Sequence, residues 1–129
     1  AQVAGALSPQ VFNDDTIKMF EADFTLLIYT DQKGSWPVYI LKSPVGVRAA
    51  DVEPKIKGLE TAEGGVKNFY LIDPGTVGTW KSGSVSGVAT RYVTFPQSGA
   101  GFNYGRTGQT WILSSSYNAF KESLSRLSQ

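Results

Sequence analysis

Residues 75–82 read GTVGTWKS and come within one side chain of a phosphate-binding loop, with Gly75, four intervening residues, and then Lys81 and Ser82 in the expected places. Such a loop works only when its backbone N–H groups close around phosphates at the start of a helix. Position 80 is tryptophan where the loop needs a second glycine, and GSVSGVATRYVTF follows, which alternates as a hairpin does. The stretch therefore reads as a turn entering an aromatic-led strand. GAGFNYG, Gly99 to Gly105, has the glycine spacing of some dinucleotide loops, yet YGRTGQTWIL after it leads into another hairpin where a helix would have to receive the pyrophosphate. GSVSG, Gly83 to Gly87, has Val85 where a nucleophile elbow has serine.

The chain has no histidine and no cysteine. It therefore cannot assemble a Ser-His-Asp or Cys-His arrangement, a thiolate metal site or a disulfide. No cofactor is expected. Two carboxylates suffice for glycoside hydrolysis, and the local acid pairs are Asp14 with Asp15, Asp51 with Glu53, and Glu60 with Glu63. All three lie near expected helices, where capping and solvation account for them. The aromatic residues are more informative. Trp36, Trp80 and Trp111 each fall at or beside an expected strand, and Tyr39, Tyr92 and Tyr104 add amphipathic surface. Trp36, Trp80, Tyr104 and Trp111 are the candidate binding residues, for a sugar or a partner strand. Core packing is the competing use, and two of the three tryptophans are expected to be mostly buried.

The chain of 129 residues is expected to form one domain, 1–129, able to bury about two thirds of its unfolded surface. Twelve Lys and Arg against eleven Asp and Glu give a net charge of +1, and the cations are dispersed along the chain. A nucleic-acid binder would gather them, so no nucleic-acid partner is expected. The longest apolar run, FTLLIY, falls well short of the roughly 20 residues that cross a bilayer. The sequence opens at Ala1 without methionine, which fits a processed product or a module of a larger protein, with any signal or anchor lying ahead of it.

The periodicities place the elements. Ser8 followed by Pro9 predicts a helix over 9–21. ADFTLLIYTDQKGSWPVYILKSP predicts strands over 24–30 and 36–42, joined by a turn at 31–34. Asp51 is placed to cap a short helix carrying Val52, Ile56 and Leu59, in which Pro54 fits only within the first turn, and Gly64 with Gly65 is placed to stop it. VKNFYLIDPG reads equally as a helical turn or a buried strand. Strands 80–85 and 88–95 flank Ser86-Gly87, and strands 102–106 and 109–114 flank Thr107-Gly108. Ser115 or Ser116 then caps a helix with Tyr117, Phe120, Leu124 and Leu127 on its apolar face. A hairpin passes into a helix twice, so the expected fold is α+β. It is a two-layer sandwich, an antiparallel sheet of hairpins with helices packed on one face, and the echo suggests two ββα halves.

GVATRYVTF and FNYGRTGQTWILSSSYNAFKESLSRL resemble the closing hairpin, serine-capped turn and amphipathic helix of poorly characterised bacterial cell-envelope proteins. The resemblance covers the last third of the chain. It implies an extracytoplasmic α+β module, periplasmic, cell-surface or secreted, with no catalytic residues to carry over. The expected function is thus a non-catalytic interaction or structural module that works through an exposed β face or edge strand, its partner a protein or the rest of its own parent protein. Two alternatives stay open: a glycan- or small-molecule-binding domain using tryptophans, and a carboxylate hydrolase.

Overall fold

Asp31 sets the first reversal of the chain. Its Oδ1 accepts the backbone N–H of Lys33 at 2.8 Å, that of Gly34 at 3.2 Å and the indole N–H of Trp36 at 3.0 Å. Three donors on one carboxylate oxygen fold the chain back within two residues, and Gly34 completes the turn at φ +146°. The Trp36 N–H foremost, with the two backbone donors, holds the Asp31 carboxyl below the usual carboxylate range. The strands so joined are β1, Thr25–Asp31, and β2, Gly34–Lys42, paired antiparallel from Thr25↔Ile40 to Asp31↔Gly34. This computed structural model describes residues 12–21, 24–62 and 66–127.

Two further hairpins follow. β3, Lys81–Val85, and β4, Val88–Thr94, turn through Ser86 (φ +51°) and Gly87 (φ +83°), the paired positive values of a type I′ turn whose twist matches its strands. β5, Gly101–Thr107, and β6, Thr110–Ser114, turn through Gly108 and Gln109, one residue later than the sequence suggests. The six strands form one antiparallel sheet in the order β1-β2-β6-β5-β4-β3. First and last hairpins thus meet at its centre, where β2 pairs with β6 from Val38↔Ser114 to Lys42↔Thr110.

The α+β sandwich built on an antiparallel sheet of hairpins is as expected, and the register shows how it is covered. Arg91, Tyr104 and Leu113 lie in line on one face, the front, while Thr90, Gly105 and Ile112 lie on the back. Helix α3, Tyr117–Leu127, covers the back: it packs against β2, β5 and β6, and the tip of Phe120 reaches Gly105. The stretches 49–62 and 66–80 cover the front. Helix α2, Ala49–Lys57, runs into a 3₁₀ turn, Gly58–Glu60, and a second 3₁₀ turn follows at Lys67–Phe69. Cover is therefore divided between the faces where the sequence pattern puts it on one. Hairpin–helix order does not encode which way the chain leaves the last strand.

Aromatic rings complete the front layer. Phe69 stands edge-on to Tyr39 and to Phe102, each at 5.3 Å, and Trp80 meets Phe102 at 6.2 Å and Tyr104 at 5.8 Å. These geometries are the favourable ones for ring pairs. They let an irregular segment do the covering a second long helix would otherwise do.

Three helical expectations need correction. α1 is only Asp14–Ile17, capped by Asn13 Oδ1 on the Thr16 N–H; the Ser8-Pro9 start lies outside the described residues. The helix tightens into i→i−3 bonds at Met19 and Phe20, and Glu21 N–H then bonds Lys42 O at 2.7 Å, which draws the chain off to the end of β2. In α2 the cap position is Arg48, and Asp51 sits in the first turn, gripped by the Arg48 guanidinium at 3.0 Å. Pro54 lies past that first turn, where its missing N–H removes a helix bond. Val52, Ile56 and Leu59, all fully buried, keep the helix in place regardless. Gly64 and Gly65 lie outside the described residues.

The run Ser114-Ser115-Ser116 is buried and fastens α3 to the sheet. Ser114 Oγ donates to Ser116 O at 2.7 Å, Ser115 Oγ donates to Pro37 O at 2.8 Å, and Ser116 Oγ caps α3 by accepting the Ala119 N–H at 3.0 Å. Ser115→Ala removes the hydroxyl bond to β2 inside the core and should lower stability by about 1–2 kcal/mol. Urea denaturation measures it, and a change within error would show that this hydroxyl does not hold the helix down.

Candidate functional site

The candidate site must be built from what the front face and the sheet edges expose, because neither glycine-rich motif forms a ligand loop. Lys81 and Ser82 open β3, and Gly105 sits inside β5. The first motif is irregular to Trp80 and enters β3 at Lys81, and the second is strand from Gly101, so neither leads into a helix.

On the front face, Glu60 from the 3₁₀ turn meets Arg91 of β4 and Tyr104 of β5. Arg91 donates through Nε to Oε2 at 3.0 Å and through Nη2 to Oε1 at 2.6 Å, a bidentate fork, and Tyr104 donates its hydroxyl to Oε2. Arg91 Nη1 continues to Ser82 Oγ at 2.9 Å. Burial pushes the Glu60 carboxyl upward, but Arg91 and Tyr104 together with the nearby Lys57 charge outweigh it and hold the group below its ordinary value. Burial, reinforced by the Glu60 carboxylate it serves, pushes Tyr104 upward. A carboxylate kept ionised and a phenol kept protonated make a brace between layers, not an acid–base pair poised near neutrality.

Beside the brace lies a cleft of about 300 Å³ between α2 and β3–β6. Lys57, Arg91 and Arg106 bring positive charge to it, Glu53 stands at its helix side, and Tyr104 and Trp111 form its base. The Arg106 guanidinium lies 6.0 Å from the Trp111 ring centre, within cation–π range. The structure therefore brings two of the candidate residues, Tyr104 and Trp111, into one place. Trp36 is elsewhere, tied to Asp31 and edge-on to Tyr70 at 6.3 Å. Trp80 is half-buried over a separate depression with Leu59, Val66, Val77 and Phe95.

Trp36 and Trp111 are buried, as expected of two of the three tryptophans, at 2% and 3% exposure, and Tyr104 is equally enclosed at 3%. These three rings pack in the core and offer no open face for stacking. That corrects their reading as platform residues: Tyr104 is taken up by Trp80 and the Glu60 brace, Trp36 by Asp31 and Tyr70, and Trp111 lies beneath the Arg106 guanidinium. Of the acid pairs, Asp51 is held by Arg48 and Glu60 by the brace, Asp14 and Asp15 stand in the first turn of α1, and Glu63 lies outside the described residues. Among the described residues no three acids gather as a metal site, and no helix is long and apolar enough to cross a membrane.

A further exposed feature is β1, an edge strand. Leu26 and Ile28 are 46% and 51% exposed although their partners across the hairpin, Tyr39 and Pro37, are buried. The strand TLLIYTD carries no lysine, proline or bulge to blunt it. The opposite edge, β3, reads KSGSV and is polar. The strand is visible in the sequence but its edge position is not, because the strand order depends on β6, which begins 79 residues after β1 ends.

No protein-family model, curated protein or solved structure matches the chain.

The brace makes a pH prediction. Glu60 has a lower pKa folded than unfolded, so the unfolded state binds more protons through that window. Its contribution is whole above the ordinary glutamate value near 4.5 and is lost as pH falls through and below it. Glu60→Gln should cost about 2–3 kcal/mol at pH 7, less than a sealed ion pair because Arg91 still reaches water, and should flatten the acid limb of stability against pH. Denaturant midpoints from pH 7 to pH 3 measure both, and an unchanged acid limb contradicts the assignment.

Proposed function

We propose that the chain is a non-catalytic interaction module of a bacterial envelope or secreted protein, and that it docks an extended protein segment along β1. The observation that carries this reading is the apolar edge strand, with which no other strand pairs on its outer side among the described residues. An open edge strand presents a row of backbone donors and acceptors to any extended chain, and alternate side chains then select among them. Here Leu26 and Ile28 supply an apolar stripe beside that row, while the remaining long edge is polar. The extracytoplasmic setting rests on the resemblance of the last third of the chain to envelope domains. The segment belongs to a partner or to the parent protein of the module.

The non-catalytic reading is supported by how the charged groups are used. Glu60 is committed to Arg91 and Tyr104, and Asp51 to Arg48. Both carboxylates serve as ion-pair anchors of α2 and the front layer, Glu60 enclosed and Asp51 in solvent.

A library of extended seven-residue peptides panned against the domain tests this. Selected peptides should alternate apolar side chains, shift the amide signals of β1 alone, and lose about tenfold in affinity, worth 1.4 kcal/mol, when Ile28 becomes lysine. Ile28→Lys should leave the melting temperature nearly unchanged, since the side chain is half in water. Peptides that bind at β3 or in the front cleft, or a library that yields no binder, would sink the reading.

A further inference from the structure

On the back of the sheet, α3 packs chiefly on β2, β5 and β6, and its first turn borders a strip of β3 and β4 that it covers only in part. That strip holds a trough of about 420 Å³, inside the roughly 300–1,000 Å³ range of small-ligand sites. Its principal lining residues are Gly83, Thr90, Tyr92, Thr94, Asn103 and Tyr117, and no lining side chain carries a charge. Tyr92 rises from β4, and Tyr117, 48% exposed, stands at the opposite wall where α3 begins.

Two glycines keep the floor low. A Cβ on Gly83 would meet the Tyr92 ring at 2.9 Å and Thr90 Oγ1 at 3.5 Å, whereas one on Gly101 would meet nothing closer than 3.9 Å. The same distances place the Thr90 hydroxyl over Gly83, on the trough side of the sheet. Thr90 is 95% buried by its 5% exposure, and its hydroxyl has no hydrogen-bond partner. A buried unpaired hydroxyl is costly and calls for an explanation. Asn103, just as buried, spends one N–H on Gly101 O at 2.9 Å. The Thr90 methyl and the Phe120 tip both crowd the back of Gly105, which accounts for the burial of the threonine but leaves its hydroxyl unpaired beside the trough.

We propose that this trough is a binding site for a neutral saccharide unit, with Tyr92 and Tyr117 packing on its C–H faces and Thr90 and Asn103 hydrogen-bonding its hydroxyls. Sugar hydroxyls both donate and accept, which matches a threonine hydroxyl and a carboxamide. Amphipathic tyrosine rings suit a ligand that is apolar on its faces and polar at its rim. The lack of charge in the trough speaks against an anionic ligand, which the front cleft with its three cations would attract instead. The site is independent of the β1 edge and shares no residue with it.

The test is a titration of the whole domain with glucose, cellobiose and N,N′-diacetylchitobiose, followed by amide chemical shifts, with glucuronic acid and hexaproline as comparators. At least one neutral sugar should saturate at millimolar concentration and shift Tyr92, Thr94 and Asn103, which line the trough and not the front cleft. Tyr117→Ala and Thr90→Val should each weaken it, the former by about tenfold, at unchanged melting temperature. Should the buried Thr90→Val variant fail to fold, Tyr117→Ala at the rim carries the same test. No shift with any neutral sugar, shifts confined to the front cleft, shifts indifferent to Tyr117→Ala, or tighter binding of glucuronic acid or hexaproline would overturn the proposal.

Discussion

The pairing of β2 with β6 is the constraint on which everything else hangs. It joins the first hairpin to the last across seventy residues and makes one sheet of what would otherwise be a hairpin and a four-stranded ribbon. A lone hairpin is marginal in water, so β1 and β2 depend on that seam for their order. The same seam is buried on both faces. Leu41 and Trp111 pack toward α2, while Val38 lies under α3 beside Ser114. Ser115 then extends the seam past its last strand pair by bonding the Pro37 carbonyl.

With the seam fixed at the centre, the exposed features follow by subtraction. β1 becomes an edge because β2 spends its other side on β6. α3, only eleven residues long, packs chiefly on the strands nearest the seam and covers β3 and β4 only in part. On the front, α2 and the aromatic segment 66–80 reach further, and the Glu60 brace ties them to β4 and β5 at a distance from the seam. The protein thus has a well-covered front face notched by a cleft, a back face covered in part, and an apolar edge strand, and the two proposed binding sites lie on the last two.

Much of this was legible in the sequence, and the exceptions share a cause. Ser86-Gly87, the Asp31 turn and the serine run before α3 are local signals, and each lands where its chemistry puts it, to within a residue or two. Pro54 misleads because burial of Val52, Ile56 and Leu59 outweighs one lost backbone bond. α1 ends early because Glu21 bonds to the end of β2, a contact no window of sequence contains. Trp36, Tyr104 and Trp111 look like a platform in sequence because aromatic residues serve cores and binding faces equally well. Only the register decides, and it turns all three inward. Tyr92 was visible as amphipathic surface, but Tyr117 reads as core by its helical spacing and becomes surface because α3 begins beyond the edge of what it covers. Glu60 and Arg91 lie thirty-one residues apart, with nothing local to pair them.

Amide hydrogen exchange, followed residue by residue under native conditions, tests the central seam most directly. The account places the slowest exchange at the β2 and β6 amides, with β1 and β3 exchanging faster by comparison as strands open on one side. Fast exchange along Val38–Lys42 and Thr110–Ser114, with protection retained inside the separate hairpins, would contradict it, since the two halves would then not share a sheet.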